Sequence, residues 1–382
     1  MANLRYEIAA TIGISPSSIT PHVDYKIQES TKEDGYTRQL IEFDSYGDKV
    51  KAFLLLPEIL ENNAAILINH QHNREHHLGK SEVCGLAGNP RQAFGPELAK
   101  KGFVVLAPDS ICFEERRPDP SVEGFDFWQH FHEMTYRIIT GEFLMKKVLT
   151  DAMNGISLLT GLPYVDSSRI GTLGDAMAGI SLLFGLDYVD KDKIGTLGHS
   201  YGGNTVLFLS ALDERISFAC ASGSACTFEY RMKHGTGIEM ASVIPNFHGK
   251  YDIDDLVALV APRKLLLVSS DEDKYSMDAP EIAEKAGKTY AALGAAQNLE
   301  HKRYAGGHAL TEERFRDIVR WIIMNDYLSR TYQMEVIEDI EEGGYTVLFP
   351  DLPGCITCAD TIEMALENAK DAKKAWLEAM LE

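Results

Sequence analysis

A serine stands in a short glycine-flanked stretch that is typical of a nucleophile. Residues 198–202 are Gly-His-Ser-Tyr-Gly, the G-x-S-x-G pattern in which a serine lies on a tight turn between a strand and a helix. The apolar run at residues 193–197 and the helical pattern after Gly203 supply that strand and that helix. Because a serine hydroxyl is a poor nucleophile at neutral pH, Ser200 needs a base and a carboxylate that orients the base.

Two stretches downstream of Ser200 offer the acid and the base in that order. Asp271 and Asp273 follow an apolar run, and His308 comes after two glycines, directly before a predicted helix. His301 is the weaker alternative base. The order serine, acid, histidine is that of the α/β-hydrolases, and the residues alone leave both aspartates open.

Short apolar runs alternate with helical patterns and predict the elements that position these groups. The strand candidates are residues 64–70, 102–108, 169–174, 193–198, 216–222 and 263–270. An alternating stretch around residues 45–48 predicts a hairpin nearer the start of the chain. Strands that alternate with helices indicate an α/β fold, a doubly wound and mostly parallel sheet.

One segment of the chain is written twice. Residues 151–174 and 175–198 differ at six of 24 aligned positions, so we interpret them as a tandem duplication. Only the second copy continues into Ser200, whereas the first continues into Asp-Ala-Met-Ala with a single glycine behind it. We expect residues 193–198 to form the strand before the nucleophile. The first copy is then an added βα unit or a partly looped-out insertion.

Composition excludes several classes of partner. The 382 residues carry a formal net charge of −20, which disfavours phosphate backbones and anionic membranes. We expect no nucleic acid, no membrane and a cytoplasmic protein, because neither a signal peptide nor an apolar run of about 18 residues is present. The six cysteines show no disulfide framework, and we expect Cys355 and Cys358 to lie in a turn.

Residues about 35 to 329 resemble the dienelactone-hydrolase and acetyl-xylan-esterase-like branch of the α/β-hydrolases. The stretches that carry the resemblance are residues 70–90, 103–117, 198–203, 255–273 and 306–310. The resemblance implies that the acid lies three residues after a small residue that ends its strand, which matches Ser270 and Asp273. It also implies ester hydrolysis, since dienelactone hydrolases use cysteine where this chain has Ser200.

The loop after residues 64–70 is expected to help stabilise an oxyanion. One backbone N–H should come from Tyr201, directly after the nucleophile, and the second from Gln71 or His72. The same loop is rich in histidine, at His70, His72, His76 and His77. Histidines at such spacing can bind zinc, but the resemblance gives the loop another role. We therefore expect neither a metal nor another cofactor.

A long insertion at residues 113–135 is rich in Phe, Trp and His. It follows the carboxyl end of a predicted strand, where open α/β sheets bind their ligands. We expect Phe127, Trp128 and His132 to line a substrate pocket, with packing as the alternative role.

The chain changes character near Thr331, which divides a hydrolase domain, residues 1–330, from a small α+β module, residues 331–382. A hairpin turning at residues 343–344 and an amphipathic helix predict a ββα module. Through residues 341–372 it resembles the N-terminal part of HicB-type antitoxins. The segment usual after that helix does not follow, so we expect neither toxin neutralisation nor DNA binding. Self-association through an open strand edge is the alternative.

These observations predict a serine hydrolase that cleaves a small carboxylic ester, with acetyl esters as the expected type, through an acyl-enzyme intermediate. The first alternative is a peptidase-like acyl hydrolase. The second is an inert hydrolase domain whose C-terminal module is the working part, as a protein-interaction module.

Overall fold

The apolar runs of the sequence form a mixed sheet. In a computed structural model that describes residues 1–59, 63–72, 74–121, 126–162, 190, 193–340 and 343–380, the strands of this sheet are β1 (Tyr25–Glu33), β2 (Tyr36–Ser45), β3 (Asp48–Pro57), β4 (Ala65–Asn69), β5 (Val104–Pro108), β6 (Ile194–His199), β7 (Phe218–Ser222), β8 (Lys264–Ser270) and β9 (Leu299–Tyr304). They pair in the order β1-β2-β3-β5-β4-β6-β7-β8-β9. The first three pairs are antiparallel and the rest are parallel. The predicted mostly parallel α/β sheet is confirmed.

Helices connect these strands. In chain order they are α1 (Ala2–Ile12), α2 (Lys80–Val83), α3 (Phe94–Lys100), α4 (Asp126–Ile139), α5 (Leu144–Gly161), α6 (Tyr201–Leu212), α7 (Phe228–Lys233), α8 (Ile253–Val260), α9 (Ala279–Ala292) and α10 (Glu312–Ser329). Strands β5, β6 and β7 are buried at every residue. Because central parallel strands are covered on both faces, they appear in the sequence as nearly continuous apolar runs.

Within the described residues, each copy of the duplicated segment contributes to one element. Helix α5 contains residues 151–161 of the first copy, and the strand expected at residues 193–198 of the second copy is β6. The expected strand of the first copy, residues 169–174, lies outside the described residues. So does the helical half of the second copy, residues 175–186, and with it the expected added unit or looped-out insertion.

Residues 316–382 form a second compact unit, distinct from residues 1–315. It contains most of α10, followed by β10 (Glu335–Glu338), β11 (Tyr345–Leu348), β12 (Ile356–Ala359) and α11 (Ile362–Met380). The strands pair antiparallel in that order, and the hairpin predicted at residues 343–344 is confirmed. The sequence break near Thr331 falls just after α10, inside this smaller unit.

The turn predicted at Cys355 and Cys358 is wrong. Cys358 lies in β12, where Ile356 pairs with Leu348 and Ala359 pairs with Tyr345. The segment contains only four paired residues, too few for an alternating pattern to be recognised in the sequence. The module therefore has three strands and not two. All six cysteines are free thiols.

Among the described residues, none forms a helix with both the length and the apolar character that a membrane crossing requires.

Candidate active site

Three loops bring the predicted nucleophile, base and acid together. Ser200 follows β6, Asp273 follows β8 and His308 follows β9, and the carboxyl ends of these parallel strands lie at one edge of the sheet. The Ser200 hydroxyl lies 2.7 Å from His308 Nε2, and His308 Nδ1 lies 3.0 Å from Asp273 Oδ1. This is the arrangement in which a carboxylate orients an imidazole that takes the proton of a serine.

A tight turn presents Ser200. Its φ of 57° and ψ of −118° are unusual for a residue with a side chain, and its N–H donates to the Ser222 carbonyl at 2.8 Å. Two glycines permit the turn by close backbone contact. A Cβ on Gly202 would overlap the Asn69 carbonyl, and a Cβ on Gly198 would overlap the backbone of Gly202. Both glycines of G-x-S-x-G are therefore needed, because the turn packs against the end of β4 at Gly202 and against its own backbone at Gly198.

Asp273, and not Asp271, contacts the imidazole. Asp273 is 1% exposed, and its second carboxylate oxygen accepts the Ser276 hydroxyl at 2.7 Å. Burial raises the pKa of the Asp273 carboxyl, but hydrogen bonds from His308 and Ser276 outweigh it and leave the pKa below its ordinary value. Asp271 accepts the Gly306 N–H at 2.8 Å and so shapes the loop that carries His308.

Two residues that the sequence did not single out support His308. The buried His199 ring stacks on it, with centroids 5.0 Å apart. Burial, with the neighbouring imidazole, lowers the pKa of His199 to about 3. Arg314 donates to the carbonyls of Gly307 and Ala309 and fixes the backbone on either side of His308. The weaker candidate base, His301, bonds to Ser269 at 2.7 Å.

A cavity of about 380 Å³ opens beside Ser200. Ser200 and His308 line it together with Gln71, His72 and Phe127. The loop expected to supply an oxyanion donor therefore reaches the cavity. The Gln71 side-chain amide is tied to the carboxylate of Glu82 at 3.0 Å, which holds this loop in place.

The other residues expected at the site lie as follows. The N–H of Tyr201 belongs to the first turn of α6, where helix N–H groups have no intrahelical partner. Its hydroxyl lies 2.9 Å from Ser110 Oγ, and burial raises its pKa. Trp128 is 49% exposed and His132 is exposed. Neither is among the described residues that line the cavity, whereas Phe127 is.

Polar side chains that the sequence did not suggest also line the cavity. Arg231 is 4% exposed and donates to the carbonyls of Ser224, Gly237 and Tyr275. Glu239 lines the same cavity. Neither residue lies in a recognisable motif, so only the packing of distant segments identifies them.

Two side-chain clusters in the described part of the chain have the composition of a metal site. Asp109, Glu114 and Glu115 form one, but Lys80 Nζ already lies among them, 2.7 Å from Asp109 Oδ2. Burial disfavours the charged amine, yet these carboxylates hold the pKa of Lys80 above its ordinary value. The second cluster consists of three histidines.

The larger unit has counterparts among known proteins. Residues 170–322 match the model of the prolyl oligopeptidase family. A Bacteroides fragilis protein provisionally described as an acetyl xylan esterase is 18% identical, with a TM-score of 0.60 over 79% of this chain and 74% of its own. A glucuronoyl esterase from Solibacter usitatus is 15% identical, with a TM-score of 0.53 over 83% of this chain and 91% of its own. At such low identities the structural similarity shows the fold alone, and the predicted α/β-hydrolase fold is confirmed.

The C-terminal residues have relatives of a different kind. Residues 332–382 match the model of HicB-like antitoxins of bacterial toxin–antitoxin systems. An antitoxin HicB from Photorhabdus laumondii is 58% identical over 36 residues, which are 9% of this chain and 23% of the relative. A 14.9 kDa protein of Haemophilus phage HP1 is 46% identical over 46 residues, which are 12% of this chain and 34% of the relative. The chain thus spans a minor part of these relatives, and the predicted HicB likeness of the segment is confirmed.

Proposed function

We propose that this protein is a serine esterase that cleaves a small carboxylic ester. The observation that carries the proposal is the continuous hydrogen-bond chain from Ser200 through His308 to Asp273, placed at an open cavity. A buried, ionised Asp273 holds His308 Nδ1–H in place, so that Nε2 is free to accept the serine proton. The protein's fold is one in which this residue order performs acyl transfer.

The reaction proceeds through an acyl-enzyme. Ser200 Oγ attacks the ester carbonyl while His308 Nε2 takes its proton, and the N–H of Tyr201 with that of Gln71 or His72 stabilises the oxyanion. Collapse of the tetrahedral intermediate breaks the bond to the alcohol oxygen, and His308 returns the proton to the leaving alcohol. Water then attacks the acyl-enzyme with His308 as base, which releases the acid and regenerates Ser200.

The substrate proposed is an acylated carbohydrate with a small acyl group. The cavity volume of about 380 Å³ suits a small ligand, and polar side chains form part of its wall. The structural neighbours described as acetyl xylan and glucuronoyl esterases support this class.

Peptidase-like acyl transfer is the second candidate, because the family model that residues 170–322 match is that of prolyl oligopeptidases. Turnover of p-nitrophenyl acetate compared with that of a proline p-nitroanilide separates the two. We expect hydrolysis of the ester and none of the anilide. Preferred cleavage of the anilide would replace the esterase proposal.

The decisive experiment labels the protein with a fluorophosphonate and measures ester turnover in matched variants. We expect Ser200→Ala to abolish labelling and to lower kcat by at least about a thousandfold. Asp273→Asn should lower kcat by a similar order, because the amide no longer orients the imidazole. Asp271→Asn is the control: its amide oxygen still accepts the Gly306 N–H, so activity should be retained. Equal losses in the two aspartate variants would refute the assignment of the acid.

For the C-terminal module we propose self-association. Strand β10 lies at the edge of its sheet and is exposed at all four residues, which leaves an edge free for pairing. Light scattering of the full chain should give a mass above that of one chain, and a chain stopped after Arg330 should be monomeric. Ester turnover per chain should stay unchanged, because every proposed catalytic residue precedes the stop. A monomeric full chain would refute this role.

A further inference from the structure

Three histidines that the catalytic proposal does not use meet beside the cavity. His72 and His76 lie on the loop after β4, and His130 lies on α4. One ring nitrogen of each lies within 4.8 Å of those of the other two. His76 and His130 are fully buried, and His72 lines the catalytic cavity. Two segments far apart in sequence thus converge on one point.

The rings are spaced as ligands of a single ion are. The centroid of an imidazole that binds zinc at a Zn–N distance of about 2.0–2.1 Å lies about 3.2 Å from the ion, so three such rings in a tetrahedral site have centroids about 5.2 Å apart. The observed distances are 4.7 Å for His72 and His76, 5.2 Å for His76 and His130, and 5.8 Å for His72 and His130.

One close contact joins two of the rings. His76 Nε2 and His130 Nδ1 lie 3.2 Å apart, which is a hydrogen-bond distance and is also close to the separation of about 3.3 Å between two nitrogen ligands of a tetrahedral zinc. Within the described residues, the buried His72 Nε2 has no hydrogen-bond partner. Buried polar atoms are almost always paired, so this nitrogen indicates a missing partner.

A carboxylate borders the histidine cluster. The Glu239 carboxylate lies 3.9 Å from His72 Nε2, so an anionic group stands beside the imidazoles.

We propose that His72, His76, His130 and Glu239 bind one Zn²⁺ ion. The nitrogen atoms that bind it are His72 Nε2, His76 Nε2 and His130 Nδ1, which leaves the protons on the outer nitrogens of His76 and His130. Imidazole with one carboxylate favours zinc over magnesium or calcium, which prefer oxygen ligands. A site with four protein ligands is structural. It ties the oxyanion loop and α4 to the wall of the cavity that carries Glu239.

Zinc binding by the full chain tests this proposal without reference to activity. The purified protein is stripped with a chelator, incubated with zinc, desalted and analysed for bound metal, and cobalt in place of zinc reports tetrahedral geometry by its visible absorption. The variants His76→Asn and His130→Asn remove ligands. The matched controls His77→Asn and His132→Asn change exposed histidines of the same loop and the same helix.

We expect one zinc ion per chain in the parent and in both controls, and at least about tenfold weaker binding in the two ligand variants. A parent that stays free of zinc, or ligand variants that bind zinc as tightly as the controls, would overturn the proposal. If the variants of buried histidines fail to fold, His72→Asn and Glu239→Gln at the partly exposed cavity wall serve instead, with the same expected loss. Loss of ester turnover alone, with zinc retained, bears only on the proposed esterase.

Discussion

The two copies of the duplicated segment contribute different elements to the described structure. The first supplies the helix, residues 151–161 within α5, and the second supplies the strand β6 that precedes Ser200. Residues 170–174 and 194–198 are identical in sequence, so neither burial nor strand propensity can select between them. The residues on either side of the repeated phrase must make the selection.

Sterics after the strand favour the second copy. Four residues beyond it stands Gly202, and the same step beyond the first copy leads to Ala178. A Cβ at position 202 would overlap the Asn69 carbonyl at the end of β4, so the first copy could not form the same turn beside this strand. Hydrogen bonding explains why the first copy, and not the second, forms the end of helix α5. Asn154 is buried in α5 and bonds to Thr20 and Ser45.

The largest effect on ester turnover is expected when Gly202, which follows the second copy, is replaced by alanine, the residue at the same step after the first copy. Gly202→Ala places a methyl group against the Asn69 carbonyl, and displacement of Ser200 by about 1 Å costs on the order of a hundredfold in turnover. Overpacking should also lower the free energy of unfolding by about 1–3 kcal/mol. Ester turnover and urea unfolding measure the two effects.

Gly287→Ala is the matched control for this substitution. Gly287 lies in α9 with no atom within 4 Å of a Cβ built on it, and alanine is the better helix former by about 1 kcal/mol. The control should therefore be active and slightly more stable than the parent. If Gly202→Ala behaves in the same way, close contact with β4 is not what selects the second copy.

A smaller effect, on stability, is expected when Asn154 of the first copy is replaced by alanine, the residue at the aligned position of the second copy. The Asn154 side chain accepts the Thr20 N–H and donates to Ser45 Oγ, both at 2.8 Å, and the second copy has alanine at the aligned position. Asn154→Ala leaves a part-buried N–H unpaired and should lower the free energy of unfolding by about 1–3 kcal/mol. Urea unfolding measures it.

Thr160→Ala is the control that tests whether loss of any polar side chain from α5 lowers the free energy of unfolding as much as loss of Asn154 does. Within the described residues, the Thr160 hydroxyl donates to the Ser157 carbonyl of its own helix, so its loss should change stability little. Equal losses in the Asn154 and Thr160 variants would contradict a special role for the contacts of Asn154.

The same contrast shows how much the sequence could predict. The identity and order of Ser200, Asp273 and His308 are local signals, each attached to the end of an apolar run. The choice of β6 was also accessible, because glycine spacing is visible in the sequence. The meeting of His130 with the loop after β4, and the buried position of Arg231 in the cavity wall, depend on long-range packing, for which a single sequence carries no periodic signal. Strand β12 escaped notice because it is short.

The smallest effect on activity is expected when one copy is removed. Deletion of residues 163–186 joins α5 to the residues that lead into β6, and it keeps Asn154 together with the whole turn around Ser200. Deletion of residues 151–174 yields a chain of the same length, but it replaces Asn154 by the alanine of the second copy and Thr160 by a phenylalanine. Both deletions retain every proposed catalytic residue, so ester turnover should equal that of the parent.

The two deletion variants should then differ in stability alone. The variant without residues 163–186 should unfold at the urea concentration of the parent, and the variant without residues 151–174 should be weaker by the contribution of Asn154, about 1–3 kcal/mol. Restoring asparagine at the aligned alanine of the weaker variant should recover that loss, because the side chain would again reach Thr20 and Ser45. An inactive variant without residues 163–186, beside an active parent, would show that the extra copy has become part of the folded enzyme.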